Sequence, residues 1–328
     1  MPRTGMNPSR NRDTGFSPAE VTAAILTHVP HGEGYFEHRF EVLRLCIESL
    51  IITTGDQVDV MIFDNASSPE VVEYLNGLKA ANKIQYLMLS SRNIGKMDAL
   101  QMIVRSAPGE IIAYSDDDVL FLPGWLDAHL KVLTTFPKAG MVTGFYIRSQ
   151  MAFSVKSTME FAERFDVQSE RGQLIERKWE QHYLDNMGRT WERYHDETRD
   201  LEDVRLTYEG VQALSSAGHH QFMAYKELLL KALPESWTGR LMGKMREFDD
   251  MVDKLGYLRL NTPSPVTRLL GNVLSEENAA EARLLGLEVS HEIKTSRPAG
   301  TITKLSRLPL INGIARKMYN WLYKFINA

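Results

Sequence analysis

Apolar and polar positions change rhythm repeatedly along the first half of the chain. Residues 21–27 form a continuous apolar, partly β-branched run, the pattern of a buried strand. Apolar side chains then move to helical intervals, at Phe36, Phe40, Leu43, Ile47, Leu50 and Ile51, and Gly55 stops the helix they predict. Residues 58–63 and 84–89 repeat the strand pattern. Helical spacing succeeds each, through Val71, Val72, Leu75 and Leu78, and then through Met97, Leu100, Ile103, Val104 and Ala107. Ser68 and Pro69 suit the N-cap and first position of the helix through Val71. A fourth apolar run begins at residue 110. This alternation implies an α/β fold with a parallel, doubly wound sheet, whose ligands collect at the carboxyl ends of the strands.

Polar residues stand at those strand ends. Asp64 and Asn65 come after the second run, where they either shape the turn or accept hydrogen bonds from a nucleobase edge. Arg92, Asn93 and Lys96 come after the third, and the two cations there suit phosphate. The fourth run ends in Asp116, Asp117 and Asp118, ahead of Pro123-Gly124. If the chain stays extended, Asp116 and Asp118 share one side and Asp117 points away. Their mutual repulsion would be relieved by Mg²⁺ or Mn²⁺, which prefers carboxylate oxygens and can clamp a nucleotide's phosphates.

Composition narrows the classes. With 328 residues, 43% of them hydrophobic, the chain can bury a sizeable core, as one elaborated domain or two smaller ones. A net charge of −4 offers no general basic surface to nucleic acid. Cys46, the only cysteine, cannot form an internal disulfide, and a reducing, cytoplasmic setting fits. Residues 1–19 read as a polar, disordered leader, and no window is apolar enough to span a bilayer. Gly32 and Gly34 lack the third glycine of a dinucleotide fingerprint, where Glu37 stands, and there is no phosphate-binding Gly-x-x-x-x-Gly-Lys loop.

In order and spacing these motifs resemble a family 2 glycosyltransferase of the GT-A fold. The resemblance runs from Val21 to about Tyr146, through Asp64-Asn65-Ala66-Ser67, Arg92-Asn93-x-Gly95, Gly109-Glu110, Ser115-Asp116-Asp117-Asp118 and Pro123-Gly124-Trp125. It implies that Asp64 contacts the nucleobase and that the Asp-x-Asp at Asp116–Asp118 holds a metal, the diphosphate and the donor ribose. The implied activity is inverting transfer of a sugar from a UDP- or GDP-linked donor to a hydroxyl on a glycan, lipid-linked or protein acceptor. The rivals are a sugar-phosphate nucleotidyltransferase, whose glycine-rich entry loop is missing, and a non-catalytic nucleotide-sugar-binding or membrane scaffold protein.

The second half carries the remaining candidates. Residues 20–150 form the nucleotide-sugar half, 151–212 read as a helical insertion, 213–275 as the acceptor half and 276–328 as a helical extension. A helix is predicted over residues 223–233. His219 and His220 precede it; as neighbours they make a poor metal pair, and the resemblance implies that they line the sugar and acceptor pocket. Around Asp249, Asp250 and Asp253 the helical spacing turns carboxylates to one side, either as ordinary helix-terminal acidity or, as the resemblance implies for Asp249 and Asp250, as the base acting on the acceptor hydroxyl. The family's histidine metal ligand has no counterpart in Thr267–Asn272. Residues 304–328 have five Lys or Arg, no acid, and an apolar stripe through Ile311, Ile314, Met318, Trp321, Leu322 and Phe325. This suits an amphipathic helix on an anionic inner membrane face, against a twin subunit, or against its own domain.

Overall fold

Every residue of β1 (Val21–Thr27) is buried, as a strand covered on both sheet faces requires. Its side chains alternate between two cores. Ala23 and Ile25 pack with Leu43, Ile47, Ile62 and Trp125, whereas Ala24 and Leu26 pack with Phe63, Leu100, Tyr114, Phe222 and Phe248. The structure, a computed structural model, describes residues 5–290 apart from 8 and 244. The described part of residues 1–19 forms no helix or strand. The expected amphipathic helix in 304–328 lies outside the described residues.

The predicted strand–helix units appear in order. They are β1 with α1 (Arg39–Thr54), β2 (Asp59–Asn65) with α2 (Pro69–Ala80), and β3 (Tyr86–Ser90) with α3 (Lys96–Ser106). The fourth strand is β4 (Ile111–Asp116), succeeded by the short β5 (Val119–Phe121) and α4 (Trp125–Thr135). Gly55 ends α1 at φ 53°, and Ser68 and Pro69 open α2 as their types predict, although the Ser68 side chain makes no capping hydrogen bond. Strands β3-β2-β1-β4 are parallel neighbours, the doubly wound arrangement that the alternation implied.

Beyond β6 (Ala139–Thr143) the pattern changes. The 151–212 stretch contains the expected helices α5 (Lys156–Ala162), α6 (Arg177–Met187) and α7 (Trp191–Thr198), and also β7 (Gln168–Gly172) and β8 (Asp203–Tyr208). Period-two burial of Val204 and Leu206 explains β8, a strand inside what the sequence reads as a helical insertion. Strand β9 (Val211–Ser215) pairs antiparallel with β8 and with β11 (Leu258–Asn261).

Residues 223–233 do not form one helix. Strand β10 (Gln221–Tyr225) comes first, buried between β4 and β6 and antiparallel to both, and α8 (Lys226–Ala232) comes after it. Sheet packing on both faces overrides helical spacing there, with Phe222 and Ala224 in one core and Met223 in the other. Because β10 runs against β4, Gln221 pairs with Ser115, so the segment before β10 arrives at the carboxyl end of β4. Helix α9 (Met245–Lys254), the two-stranded pair β5–β12 (Thr267–Leu269) and α10 (Glu276–Leu284) complete the described chain.

A buried carboxylate anchors the insertion. Asp203 is fully buried, and its oxygens accept hydrogen bonds from Arg148 at 2.8 Å each and from the Leu174 and Ile175 N–H groups at 2.8 and 3.1 Å. Arg148 also lies 2.6 Å from Glu180 of α6. Replacing Asp203 with Ala strands a buried guanidinium and two N–H groups, a loss of about 3–5 kcal/mol. A lower urea midpoint at unchanged slope is the expected result.

Candidate active site

Strand β4 stops at Asp116 because its neighbours stop it. The Asp116 N–H donates to the carbonyl of His220 at 2.7 Å, and the Asp118 carbonyl accepts from Leu270 N–H at 2.8 Å. Asp117 and Asp118 therefore form a turn, and the alternation expected of an extended chain does not hold. Asp117, expected to point away, is buried: Oδ2 accepts from Thr27 Oγ1 at 2.7 Å, and Oδ1 meets Arg39 Nη2. The other nitrogen of that guanidinium lies 3.2 Å from Asp118 Oδ2 and 3.1 Å from the carbonyl of Gly271. Asp116 faces other partners, Lys96 Nζ at 2.6 Å and the Tyr114 hydroxyl at 2.8 Å.

This crowding sets the electrostatics. Burial works against charge on Arg39, and Asp117 and Asp118 more than offset it, so the guanidinium is held firmly protonated. Burial raises the Asp118 carboxyl to about 6; Arg39 opposes the shift, and Asp116 and Asp117 add to it. His220 is pushed down to about 4, chiefly by burial, so its ring is neutral near pH 7, and its Nε2 has no hydrogen-bond partner among the described residues.

The neighbouring strand ends lie on the same rim, with Thr27 in register with Asp64 and Leu26 with Asp116. Asp64 is buried and accepts the Ser67 N–H at 3.2 Å; burial raises its pKa and the Ser67 hydrogen bonds oppose the shift. Asn65 and Asn93 are stitched together. Asn65 Nδ2 donates to Asn93 Oδ1 at 3.0 Å, and Asn65 Oδ1 accepts from Ile94 N–H at 2.9 Å. Arg92 is exposed.

The amino terminus of α3 is covered by the loop that carries Arg240 and Leu241. Lys96 N–H already donates to the Leu241 carbonyl at 2.7 Å, and Gly95 (φ 87°) packs so tightly on Arg240 that an added Cβ would lie 2.1 Å from its carbonyl oxygen. Asp98 holds this covering loop by accepting Thr238 and Gly239 N–H groups at 2.8 and 3.0 Å. Lys96 therefore reaches the rim through its side chain.

Asp249, Asp250 and Asp253 part company. Asp249 is 3% exposed, with Oδ2 2.8 Å from His219 Nδ1 and Oδ1 3.4 Å from Arg259 Nη2. Asp250 accepts a hydrogen bond from the Ser154 hydroxyl. Asp253 accepts the first N–H groups of α5, from Lys156 at 3.3 Å and Ser157 at 2.8 Å, a helix-capping role. Lys96, Asp116, Asp117, Asp118, His219, His220 and Asp249 are thus joined through direct contacts and the His219–His220 peptide, with Asp64, Asn65 and Asn93 on the adjoining strand ends. Sequence reasoning missed Arg39, Thr27, Tyr114 and Arg259. Arg259 carried a signal, a charged residue inside the Leu-Arg-Leu of a buried strand, which only buried partners can accommodate.

Among the described residues no set of three or more His, Cys, Asp or Glu side chains is arranged to hold a metal ion. The available donors are Asp116 and Asp118, both hard oxygen ligands, leaving the remaining positions to water and phosphate oxygens. That set fits Mg²⁺ or Mn²⁺, whose charge would relieve the repulsion among the three neighbouring carboxylates.

The fold is a mixed α/β sheet with an acidic turn at the carboxyl end of its fourth strand. Residues 35–195 match the model of Glycosyl transferase family 2. Similar solved structures include the mannosyltransferase PcManGT from Pyrobaculum calidifontis with GDP-Man and Mn²⁺, at 16% identity and TM-score 0.44, covering 78% of this chain and 59% of that one. GalNAc-T7 with UDP, GalNAc and Mn²⁺ shares 12% identity at TM-score 0.46, covering 79% and 45%. Residues 1–349 of S. aureus TarS share 13% at TM-score 0.44, covering 81% and 64%. The chain therefore spans less than two thirds of each of these structures. No curated protein matches it significantly. Among the described residues no helix is long and apolar enough to cross a membrane.

The Asp118 shift fixes a pH dependence. An unfolded chain ionises this carboxyl near 3.8 and the native protein near 6, so the native state binds the proton more tightly and loses stability as pH rises between those values. Asp118→Asn removes the cost. Its melting temperature should gain on the wild type's between about pH 4 and about pH 6, and a constant difference across that range would contradict the assignment.

Proposed function

We propose that this protein transfers a sugar, with inversion, from a UDP- or GDP-linked donor to a hydroxyl acceptor on a glycan, a lipid-linked saccharide or a protein. The observation that carries this reading is the pair Asp116 and Asp118, brought to the carboxyl rim of the sheet within the family-matched stretch and already facing Lys96 and Arg39. A diphosphate brings negative charge to such a rim, where fixed cations and a coordinated ion can hold it. Asp64 and the Asn65–Asn93 pair form the nucleobase end, residues 20–150 the donor half and residues 213–275 the acceptor half. In this reading the protein works in the cytoplasm, at the inner membrane face where its acceptor is lipid-linked.

Asp116 and Asp118 would hold Mn²⁺ or Mg²⁺, and the ion would supply positive charge to the departing diphosphate. Lys96 contributes a second charge from the α3 side. Asp117 works indirectly by fixing Arg39, and Arg39 keeps the turn from flying apart before the donor arrives. The acceptor's proton would leave at the other end of the His219–His220 segment, where Asp249 and His219 meet. Asp250, the alternative carboxylate, lies on the same helix and accepts from Ser154.

The test is a thermal-shift series of nucleoside diphosphates with and without Mn²⁺, and then hydrolysis of nucleotide sugars without acceptor. A cognate nucleotide at about 100 times its Kd should stabilise the protein by about 2.7 kcal/mol, and far less when the ion is chelated. Asp118→Ala should lose both the metal-dependent part of the shift and turnover. Retained turnover would refute the metal assignment, and pyrophosphate release from a nucleoside triphosphate would mark a nucleotidyltransferase instead.

A further inference from the structure

The proton acceptor of the proposed transfer can be taken to a single atom. Of the three α9 carboxylates, Asp253 caps α5, Asp250 takes the Ser154 hydroxyl, and Asp249 is buried beneath His219. His219 is the exposed member of its pair, with a third of its side chain open against 5% for Asp249. The carboxylate can only accept, so Nδ1 carries the hydrogen of their 2.8 Å bond and the lone pair lies on Nε2.

The backbone around this imidazole is fixed on both sides. The carbonyl of Ala217 accepts from the buried Arg259 guanidinium, and the carbonyl of His220 accepts from Asp116 N–H. Arg259 is itself held by the carbonyls of Phe153 and Ser154 at 3.1 and 3.0 Å. Gly218 leaves room for the His220 ring, since a Cβ there would lie 2.6 Å from its Nδ1. Ser216 adopts φ 71°, a costly conformation for a serine that turns the chain out of β9. One short segment thus links the acidic turn that would hold the leaving group to a carboxylate-oriented imidazole.

Resting on the glycosyl-transfer reading above, we propose that His219 Nε2 is the general base and that Asp249 is its positioning residue. The acceptor oxygen attacks the anomeric carbon while its proton passes to Nε2. The electron pair of the breaking anomeric carbon–oxygen bond leaves with the diphosphate. Asp249 accepts from Nδ1, with Arg259 behind it, and so fixes the tautomer that frees Nε2.

The experiment compares kcat and donor KM for wild type, His219→Ala, Asp249→Asn and Asp250→Asn, with and without added imidazole, and nucleoside-diphosphate binding to each. His219→Ala should lower kcat by about 10²–10⁴-fold with donor KM and nucleotide binding unchanged. Added imidazole should restore at least about tenfold of that loss, which a purely structural role for His219 would not allow. Asp249→Asn should lower kcat comparably with no imidazole rescue, and Asp250→Asn should cost less. The assignment is overturned if His219→Ala keeps wild-type kcat, loses donor binding, or resists rescue while Asp250→Asn is as damaging. A wild type that neither binds nor hydrolyses any nucleoside-diphosphate sugar sinks the reaction itself. Turnover in the wild type matched by His219→Ala sinks only the base.

Discussion

The site depends on how three consecutive carboxylates are kept from repelling one another at the end of a buried strand. The Arg39 guanidinium, at the first position of α1, takes Asp117 with one nitrogen and Asp118 with the other, and also reaches the carbonyl of Gly271. Lysine could not do this, because a planar fork with several fixed donors is needed to bind two carboxylates and a carbonyl together. The clamp joins the start of α1, the turn after β4 and the loop after β12. Breaking it would leave buried charge without a partner, the costliest state available to these groups. It does not silence them: burial still holds the Asp118 carboxyl up at about 6, and Asp116 stays on the Lys96 side.

Strand direction supplies the second constraint. Were β10 parallel to β4, the residues before it would emerge at the opposite edge of the sheet. Running antiparallel, it delivers His219 and His220 to the carboxyl edge and bonds the His220 carbonyl to Asp116. Asp249 of α9 then meets the turn across the His219–His220 segment, and the charged Arg259 in β11 lies behind it. A reversed strand in an otherwise parallel neighbourhood is thus what assembles residues more than a hundred positions apart.

Much of this was legible because hydrophobic period reports burial. The β1–β4 alternation emerges from the spacing of apolar residues, and the acidic end of β4 from where its apolar run stops. The features that escaped were set by tertiary partners. Arg39 looks like any solvated cation near a helix start, and nothing local says that it is 6% exposed. Strand β10 is only five residues long and runs into a helix, so its spacing merges with that of α8. The even-odd rule for Asp116 to Asp118 assumed an extended chain, and the chain turns because hydrogen bonds with His220 and Leu270 end the strand there.

The same distinction governs the α9 carboxylates. Helical geometry puts Asp249, Asp250 and Asp253 near one side and treats them as interchangeable. Their partners do not. A carboxylate that caps a neighbouring helix is committed to two backbone N–H groups, and removing it would loosen α5 before it touched any reaction. A carboxylate sealed behind an imidazole cannot meet an acceptor hydroxyl directly, yet it decides which nitrogen of that ring is free. Chemistry at this rim is therefore assigned by what each side chain already holds: the more fully an acid is engaged, the more its influence must pass through a neighbour, and His219 is the neighbour that remains open.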